Sequence, residues 1–557
     1  MHRSATDVAD LPGSGGVAHR TPVDLRSRRV RLAPLAVLVF VAALLASWLI
    51  VEPRTPDLAA QVYRVGLFRQ LGFAAWDEHW YAGHHLPGYS LLFGPLGALF
   101  GIRAVGTLSV LASTLLFGRL ARSIYGQEAS WGAALFGVAA VGDVWAGRLT
   151  FALGVALALA AALALQREQR LWAVLAAALC AAASPVAGVL LGLAALTLTV
   201  SLRSPRPLLV LALPAAAVVL PLAALFPEGG FEPYPILSFA ATALVAVLFL
   251  WALPKHARTL RIGAGLYLLA CVGCLAIHSP MGSNIERYGV LLAAPLLLCA
   301  RLEAARQEGP QAGALLAAAL ALCVALVWVV WGPVRETLAV AGSQATSAAY
   351  YAPLERFLAA RGGALVRVEV PLTRSHWEAA LLAPRFSLAR GWEKQLDSRF
   401  DQVLLKPGLR AASYRRWLQH EAVAYVALPD VALDPSSAQE GRLIRAGLPY
   451  LAEVYAGAHW RVYRVLGASP LLAGPGRLTA LGHDSFALQA TAPGSFLVRV
   501  RFTRYWTLAR GSGCVRPAAG GWTALTLDAP GPAVIAARFS LARAFATGGS
   551  CTHGGSR

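Results

Sequence analysis

Eleven long apolar stretches, near 34–52, 103–122, 130–146, 150–166, 171–185, 187–202, 207–226, 235–253, 261–278, 288–302 and 313–332, fill most of the first part of the chain. An apolar run of about twenty residues covers the hydrocarbon core of a bilayer as a helix, because each backbone N–H and C=O then finds a partner inside the segment. No water-soluble chain can bury so many such runs. Fully 57% of the 557 residues are hydrophobic and only 14% are charged. The expected fold class is an α-helical polytopic membrane protein with about eleven transmembrane helices. The Ser184-Pro185 break between the fifth and sixth runs fits either two short spans or one kinked or re-entrant element.

The arginines set the expected orientation, since cytoplasmic loops keep positive charge. Arg20, Arg26, Arg28, Arg29 and Arg31 precede the first run. The alternate loops then carry Arg119 and Arg122, Arg167 and Arg170, Arg203 and Arg206, Lys255, Arg258 and Arg261, and Arg301 and Arg306. This pattern puts the N-terminus in the cytoplasm and everything after residue 332 outside, in a multi-pass protein of a bacterial plasma membrane. The formal net charge of +20 comes almost wholly from arginine. Its placement beside apolar runs points to membrane lipid and away from nucleic acid. An Ala-, Arg- and Gly-rich chain with three lysines and two methionines has the composition of a high-G+C bacterium, such as an actinobacterium.

The first apolar run follows a long basic leader and lacks a small-residue cleavage site, so it reads as a retained span and not as a signal peptide. Residues 1–32 read as a disordered cytoplasmic tail and 33–335 as the transmembrane domain, with a first outer loop at 53–101. From 343 the composition becomes that of a water-soluble domain. Residues 343–465 read as α/β, with a helix over 351–360 and strands over 364–370 and 422–428. Residues 466–557 read as a small β-sandwich, with strands over 485–490, 495–502, 522–527 and 533–539. Cys180, Cys271, Cys274, Cys299 and Cys323 lie in apolar runs as small core residues. Cys514 and Cys551 lie in the tail, where an oxidising compartment permits a disulfide.

The first outer loop carries more chemistry than a linker needs. Asp57 stands just past the first span; Val62, Val65, Leu67, Phe68 and Leu71 then recur at helical spacing among Arg64, Arg69 and Gln70, as in a helix on the membrane surface. A dense cluster follows, Trp76, Asp77, Glu78, His79, Trp80, Tyr81, His84 and His85, closed by Pro87-Gly88-Tyr89. The residues themselves leave two readings for each group. Asp57 suits an N-cap as well as a catalytic base. Asp77 and Glu78 suit a solvated turn as well as a site, Trp80 and Tyr81 suit interfacial anchors as well as sugar platforms, and the adjacency of His84 and His85 is poor geometry for a metal. Arg148, and Arg287 in the segment Asn284-Ile-Glu286-Arg287, either bind phosphate or pair with Asp143, Glu286 or headgroups. In the tail, Trp377-Glu378 and Arg390-Gly-Trp392-Glu393 combine aromatics with carboxylates, as both carbohydrate sites and ordinary cores do.

Pro56-Asp57 after the first span, a surface helix, a turn with Trp, an aromatic and His-containing stretch, Pro-Gly-Tyr and a run into span two together resemble the first outer loop of GT-C glycosyltransferases. The resemblance covers about 30–335 and implies an inverting glycosyltransferase that takes a sugar from a polyprenyl-phosphate-linked sugar and gives it to a glycan, lipid or protein acceptor. It places the catalytic base on Asp57. Phosphate and sugar contacts are sought among Arg148, Arg287, Glu286, Asn284, His84, His85, Asp77, Glu78, Trp80 and Tyr81. Many members carry a second acid beside the first; here Leu58 stands there, which weakens a metal site carried over from them, and a divalent metal is the one cofactor left open. A transporter or flippase of lipid-linked saccharides, and a non-catalytic envelope scaffold, are the competing expectations. The former predicts charge inside the spans, where this chain has little. No GxxxxGK[ST] loop, dinucleotide fingerprint or paired CxxC appears.

Overall fold

A computed structural model describes residues 33–309 and 311–545. Helices occupy all eleven apolar stretches: α1 (Pro34–Val51), α4 (Ile102–Tyr125), α5 (Ala129–Trp145), α6 (Leu149–Gln166), α7 (Arg170–Ala183), α8 (Pro185–Leu202), α9 (Leu213–Leu225, preceded by a π turn Leu208–Ala212), α10 (Ile236–Ala252), α11 (Arg258–Ala276), α12 (Glu286–Gln307) and α13 (Ala312–Val340). Two further helices, α2 (Pro56–Leu71) and α3 (Phe93–Phe100), lie in the first loop. Among the described residues eight helical segments have the length and apolar character to cross a membrane, and Arg170–Ala183 and Ile236–Ala252 are shorter. One of the eight, Ile102–Trp145, is the pair α4 and α5, which turn at Gly126 and pack on each other. Ser184 ends α7 and caps α8 through its hydroxyl, so the Ser-Pro break separates two helices.

Lipid-facing and protein-facing residues divide as a multi-pass membrane protein requires. Leu175, Val200, Leu244, Leu269, Leu316 and Val327 are exposed, whereas Ala, Gly and small polar residues fill the helix contacts, as between α4 and α5 at Gly118 and Ala133. Of the apolar-run cysteines, Cys180, Cys271 and Cys299 are buried as expected, Cys274 is half-buried, and Cys323 faces outward.

The interhelical turns fall into two groups. Arg206 pairs with Glu168 at 3.5 Å, His256 with Glu308 at 3.3 Å, and Arg301 donates to the Ala252 carbonyl, which gathers the basic turns at one end. At the other end, Trp377 donates to the Arg54 carbonyl at 2.9 Å, the Phe231 N–H donates to Ser398, Tyr505 donates to the Leu225 carbonyl, and Lys394 meets Glu232 at 3.8 Å. The tail thus sits on the turns opposite the arginine-rich ones.

The tail contains a five-stranded mixed sheet in the order β4 (Ser387–Leu388), β3 (Arg367–Glu369), β5 (Val423–Pro429), β7 (Trp460–Val465) and β6 (Leu451–Ala456), flanked by α14 (Ala348–Ala359) and shorter helices. Two four-stranded antiparallel sheets follow. One holds β12 (Trp506–Arg510), β15 (Gly531–Ala537), β10 (Ser485–Ala490) and β9 (Gly476–Leu481). The other holds β13 (Gly513–Pro517), β14 (Trp522–Leu527), β11 (Gly494–Arg501) and β8 (Leu472–Ala473). Their inward alternation, Phe486 and Leu488 from one and Phe496, Val498 and Val500 from the other, makes a shared core. Cys514, on β13, is disulfide-bonded; Cys551 lies outside the described residues, as do residues 1–32.

Candidate functional site

The helix that carries Asp57 starts at Pro56, where the fixed backbone of proline suits a first helical position. Thr55 is the N-cap, and its hydroxyl is used elsewhere, donating to the Trp145 carbonyl at 3.2 Å. Asp57 therefore sits inside the first turn with its carboxylate free of capping. That carboxylate meets Arg148 Nε at 3.5 Å, and the two side chains are 33% and 25% exposed, so the pair faces accessible space.

Arg148 reaches Asp57 because the turn between α5 and α6 presses against α2. Gly147 takes a left-handed conformation (φ 82°), and a Cβ there would stand 2.5 Å from the backbone nitrogen of Leu58. Gln61, one turn beyond Asp57, stitches the two together: its amide donates to the Gly147 carbonyl and accepts from the Thr150 N–H at 3.2 Å. Arg148 also meets Glu336 at 3.4 Å and Asp143 at 3.8 Å. Burial alone would lower the basicity of the guanidinium, but Glu336, Asp57 and Asp143 outweigh it and hold the group above its usual range.

Arg287 opens α12 and stacks over the Phe151 ring at 5.2 Å; it feels the charges of Arg148, Asp57 and Asp143. Glu286 beside it feels Arg148. Asn284 lies in the preceding turn Gly282–Ile285, whose Ser283 donates to Glu232 at 3.1 Å. Asp57, Arg148 and Arg287 thus gather at one end of the helical domain, the end that bears the tail. Among the described residues no group of three or more His, Cys, Asp or Glu side chains is arranged to hold a metal ion; an arginine occupies the centre of the acidic residues instead.

The dense cluster of the first loop has a different setting. Trp76–Asp77 (β1) and His84–His85 (β2) pair as a minimal hairpin, and nearly every side chain in it is buried against the tail. Asp77 accepts from the Tyr63 hydroxyl at 2.8 Å and lies 2.9 Å from His483 Nδ1; burial opposes its charge, yet His483, His84 and His79 pull its acidity to about 2. Glu78 forms a fully buried ion pair with Arg367 at 2.8 Å. Trp80 donates to the Ala379 carbonyl at 3.0 Å, and Tyr81 donates to the Glu393 carbonyl and to Asp397, each at 3.2 Å. His84 contacts the Asp77 carbonyl at 3.2 Å, and His85 meets Glu228 at 2.9 Å and Thr503 at 3.1 Å. Arg501 of β11 binds Glu421 at 2.7 Å and the Tyr81 carbonyl at 3.1 Å, joining sandwich, mixed sheet and loop. These six sequence candidates, Asp77, Glu78, Trp80, Tyr81, His84 and His85, are buried where the first loop meets the tail and hold the two together. The expected membrane-surface helix is also enclosed: α2 packs on α3, α6 and the tail helix Glu378–Leu381.

Several site residues escape sequence reading. Glu336 lies past the expected end of the last span, on a helix that continues to Val340; a lone acid on such a helix is the signal that marks it. Arg64 lies seven residues after Asp57, hence on the same face of α2, and its guanidinium stacks on Tyr89 at 3.8 Å and Trp80 at 5.1 Å. Lys394 and Glu232 meet only through tertiary packing. No protein-family model matches this chain, and no curated protein matches it significantly.

Proposed function

We propose that this chain is an inverting membrane glycosyltransferase of the GT-C type, which moves a sugar from a polyprenyl-phosphate donor to an acceptor at the cell envelope. The observation that carries the reading is the meeting of the first-loop carboxylate Asp57 with Arg148, beside Arg287, at the tail-bearing end of the helical domain. A lipid-linked donor presents its phosphate at headgroup depth, where such turns lie. In the proposed step Asp57 takes the proton of the acceptor hydroxyl as that oxygen bonds to the anomeric carbon. The bond from that carbon to the phosphate oxygen breaks on the opposite face, and its electron pair leaves with the polyprenyl phosphate. Developing charge on the phosphate is met by the guanidinium forks of Arg148 and Arg287. Asp143 and Glu336 hold Arg148 beside Asp57.

The arginine-rich turns at the far end favour a cytoplasmic N-terminus and an outward tail, in a bacterial plasma membrane. Charge collected at one end, with the spans nearly free of it, weighs against a transporter. In this reading the buried loop cluster fixes the tail over the site.

The test is sugar transfer in membranes from a polyprenyl-phosphate donor. Asp57→Asn, which keeps shape and removes the base, is expected to lower the rate at least ~100-fold at unchanged protein level. Unchanged transfer by that variant would sink the mechanism.

A further inference from the structure

Beside the charged centre, α2, α3 and the segment 86–91 form a shallow groove that is open on one side and holds a cavity of about 70 Å³. One end is polar, formed by Gln61, Arg64, Tyr89 and Thr150. The other is apolar, formed by Phe68, Phe73, Leu86 and Pro95. The apolar end runs out to Phe73, which is 76% exposed.

The polar end has an unmet demand. Arg64 is 11% exposed and gives one nitrogen to Glu393 at 2.5 Å, but its Nε and Nη1 are buried with no hydrogen-bond partner. A buried guanidinium left partly unsatisfied costs free energy that an anionic oxygen pair would recover. Glu393 is itself shared with Gln395, so it does not saturate the fork. A cation at one end of a groove and an aromatic, outward-opening channel at the other match an anionic amphiphile.

This amphiphile is separate from the donor. Seven residues of helix place Arg64 about 10 Å along α2 from Asp57, whereas the donor phosphate is allotted to Arg148 and Arg287. We propose that the groove between α2 and α3 binds the acceptor, and that the acceptor is an anionic phospholipid. Its phosphate lies on Arg64, its chain on Phe68 and Phe73, and its hydroxylated headgroup extends along Gln61 to Asp57. This inference rests on the glycosyltransferase reading and narrows the acceptor from glycan, lipid or protein to lipid.

The experiment uses the full chain purified in a neutral detergent, with dioleoyl-phosphatidylglycerol as probe and retention read by native mass spectrometry. Arg64→Gln removes the fork, and Phe73→Asp places a negative charge on the exposed lip without touching the core. Each is expected to lower retention at least tenfold against the parent, with glycerol phosphate failing to displace the lipid. Equal retention in the parent, Arg64→Gln and Phe73→Asp means annular lipid only and overturns the proposal. So does displacement by glycerol phosphate. In the transfer assay, label is expected in solvent-extractable lipid and is reduced by Phe73→Asp; label confined to water-soluble glycan or protein overturns the acceptor assignment. If lipid retention behaves as expected while Asp57→Asn still transfers sugar, the groove stands and the glycosyltransferase mechanism falls.

Discussion

Asp57 and Arg148 lie far apart in sequence, and a glycine joins them. Gly147 combines a left-handed backbone with contact against the first turn of α2, so Gly147→Ala is expected to cost about 2 kcal/mol from backbone strain and the displaced Leu58 nitrogen. Sugar transfer should fall further than stability does, because the turn that moves is the one holding Arg148. Thermal unfolding and transfer rate measured side by side check this; a variant with parental values of both would show that the turn does not set the geometry. How much of the site the sequence discloses also turns on particular residues. Asp57, Arg148 and Arg287 are legible because an ionisable group beside an apolar run needs a reason to be there. Glu336 and Arg64 are not, since the first sits beyond the expected end of a span and the second resembles one more basic residue on an amphipathic helix. The crowding of aromatics, acids and histidines over 76–85 signals burial of polar groups, and a docking surface produces that signal as readily as a site does.

Among elements, the apolar runs are read from sequence to within about three residues except where α12 and α13 continue past the end of the apolar run, to Gln307 and Val340, because lipid imposes one requirement on every residue of a span and none beyond it. The β1–β2 hairpin is invisible by contrast: two residues in each strand carry no periodicity, and its stability comes from the tail. β9, β12 and β13 escape because few of their residues are buried and those few set up no period-2 pattern, whereas β10, β11 and β15 alternate clearly. The hairpin also gives the loop a pH dependence. His79 donates from Nδ1 to the Ala383 carbonyl at 2.6 Å, and burial, helped by the nearby His483, lowers its pKa to about 4. A histidine whose folded pKa is depressed binds its proton more readily when unfolded. Its contribution is therefore complete above the ordinary value near 6.5 and is lost as pH falls toward 4, an effect of about 3 kcal/mol. His79→Gln removes that dependence, so its melting temperature should fall less than the parent's between pH 7 and pH 4.5. A parallel fall in both proteins would show that the His79 environment does not set the acid sensitivity.

For the whole molecule, a division into a membrane part and a soluble part at residue 343 describes the chain but not its cores. Trp76 belongs to the sandwich core, and Trp80 packs within the core that runs from the helices into the mixed sheet. Arg367, fully buried on β3, has Glu78 as its carboxylate partner. Excising the tail would leave that guanidinium without its carboxylate, at a cost of up to about 3–5 kcal/mol, and would open the space filled by Trp80 at a similar cost. Domains of this size are stable by only about 5–15 kcal/mol, so the two losses together are enough to unfold it. Residues 343–557 expressed alone should give a protease-sensitive product without a cooperative melting transition, and joining residues 74–87 to the tail through a flexible linker should restore one. A tail that melts cooperatively alone, at the temperature of the linked form, would mean the loop is only a passenger. If the linker restores folding, the tail's position over Asp57 follows from its own stability, since the segment that completes its cores is the one leading out of α2.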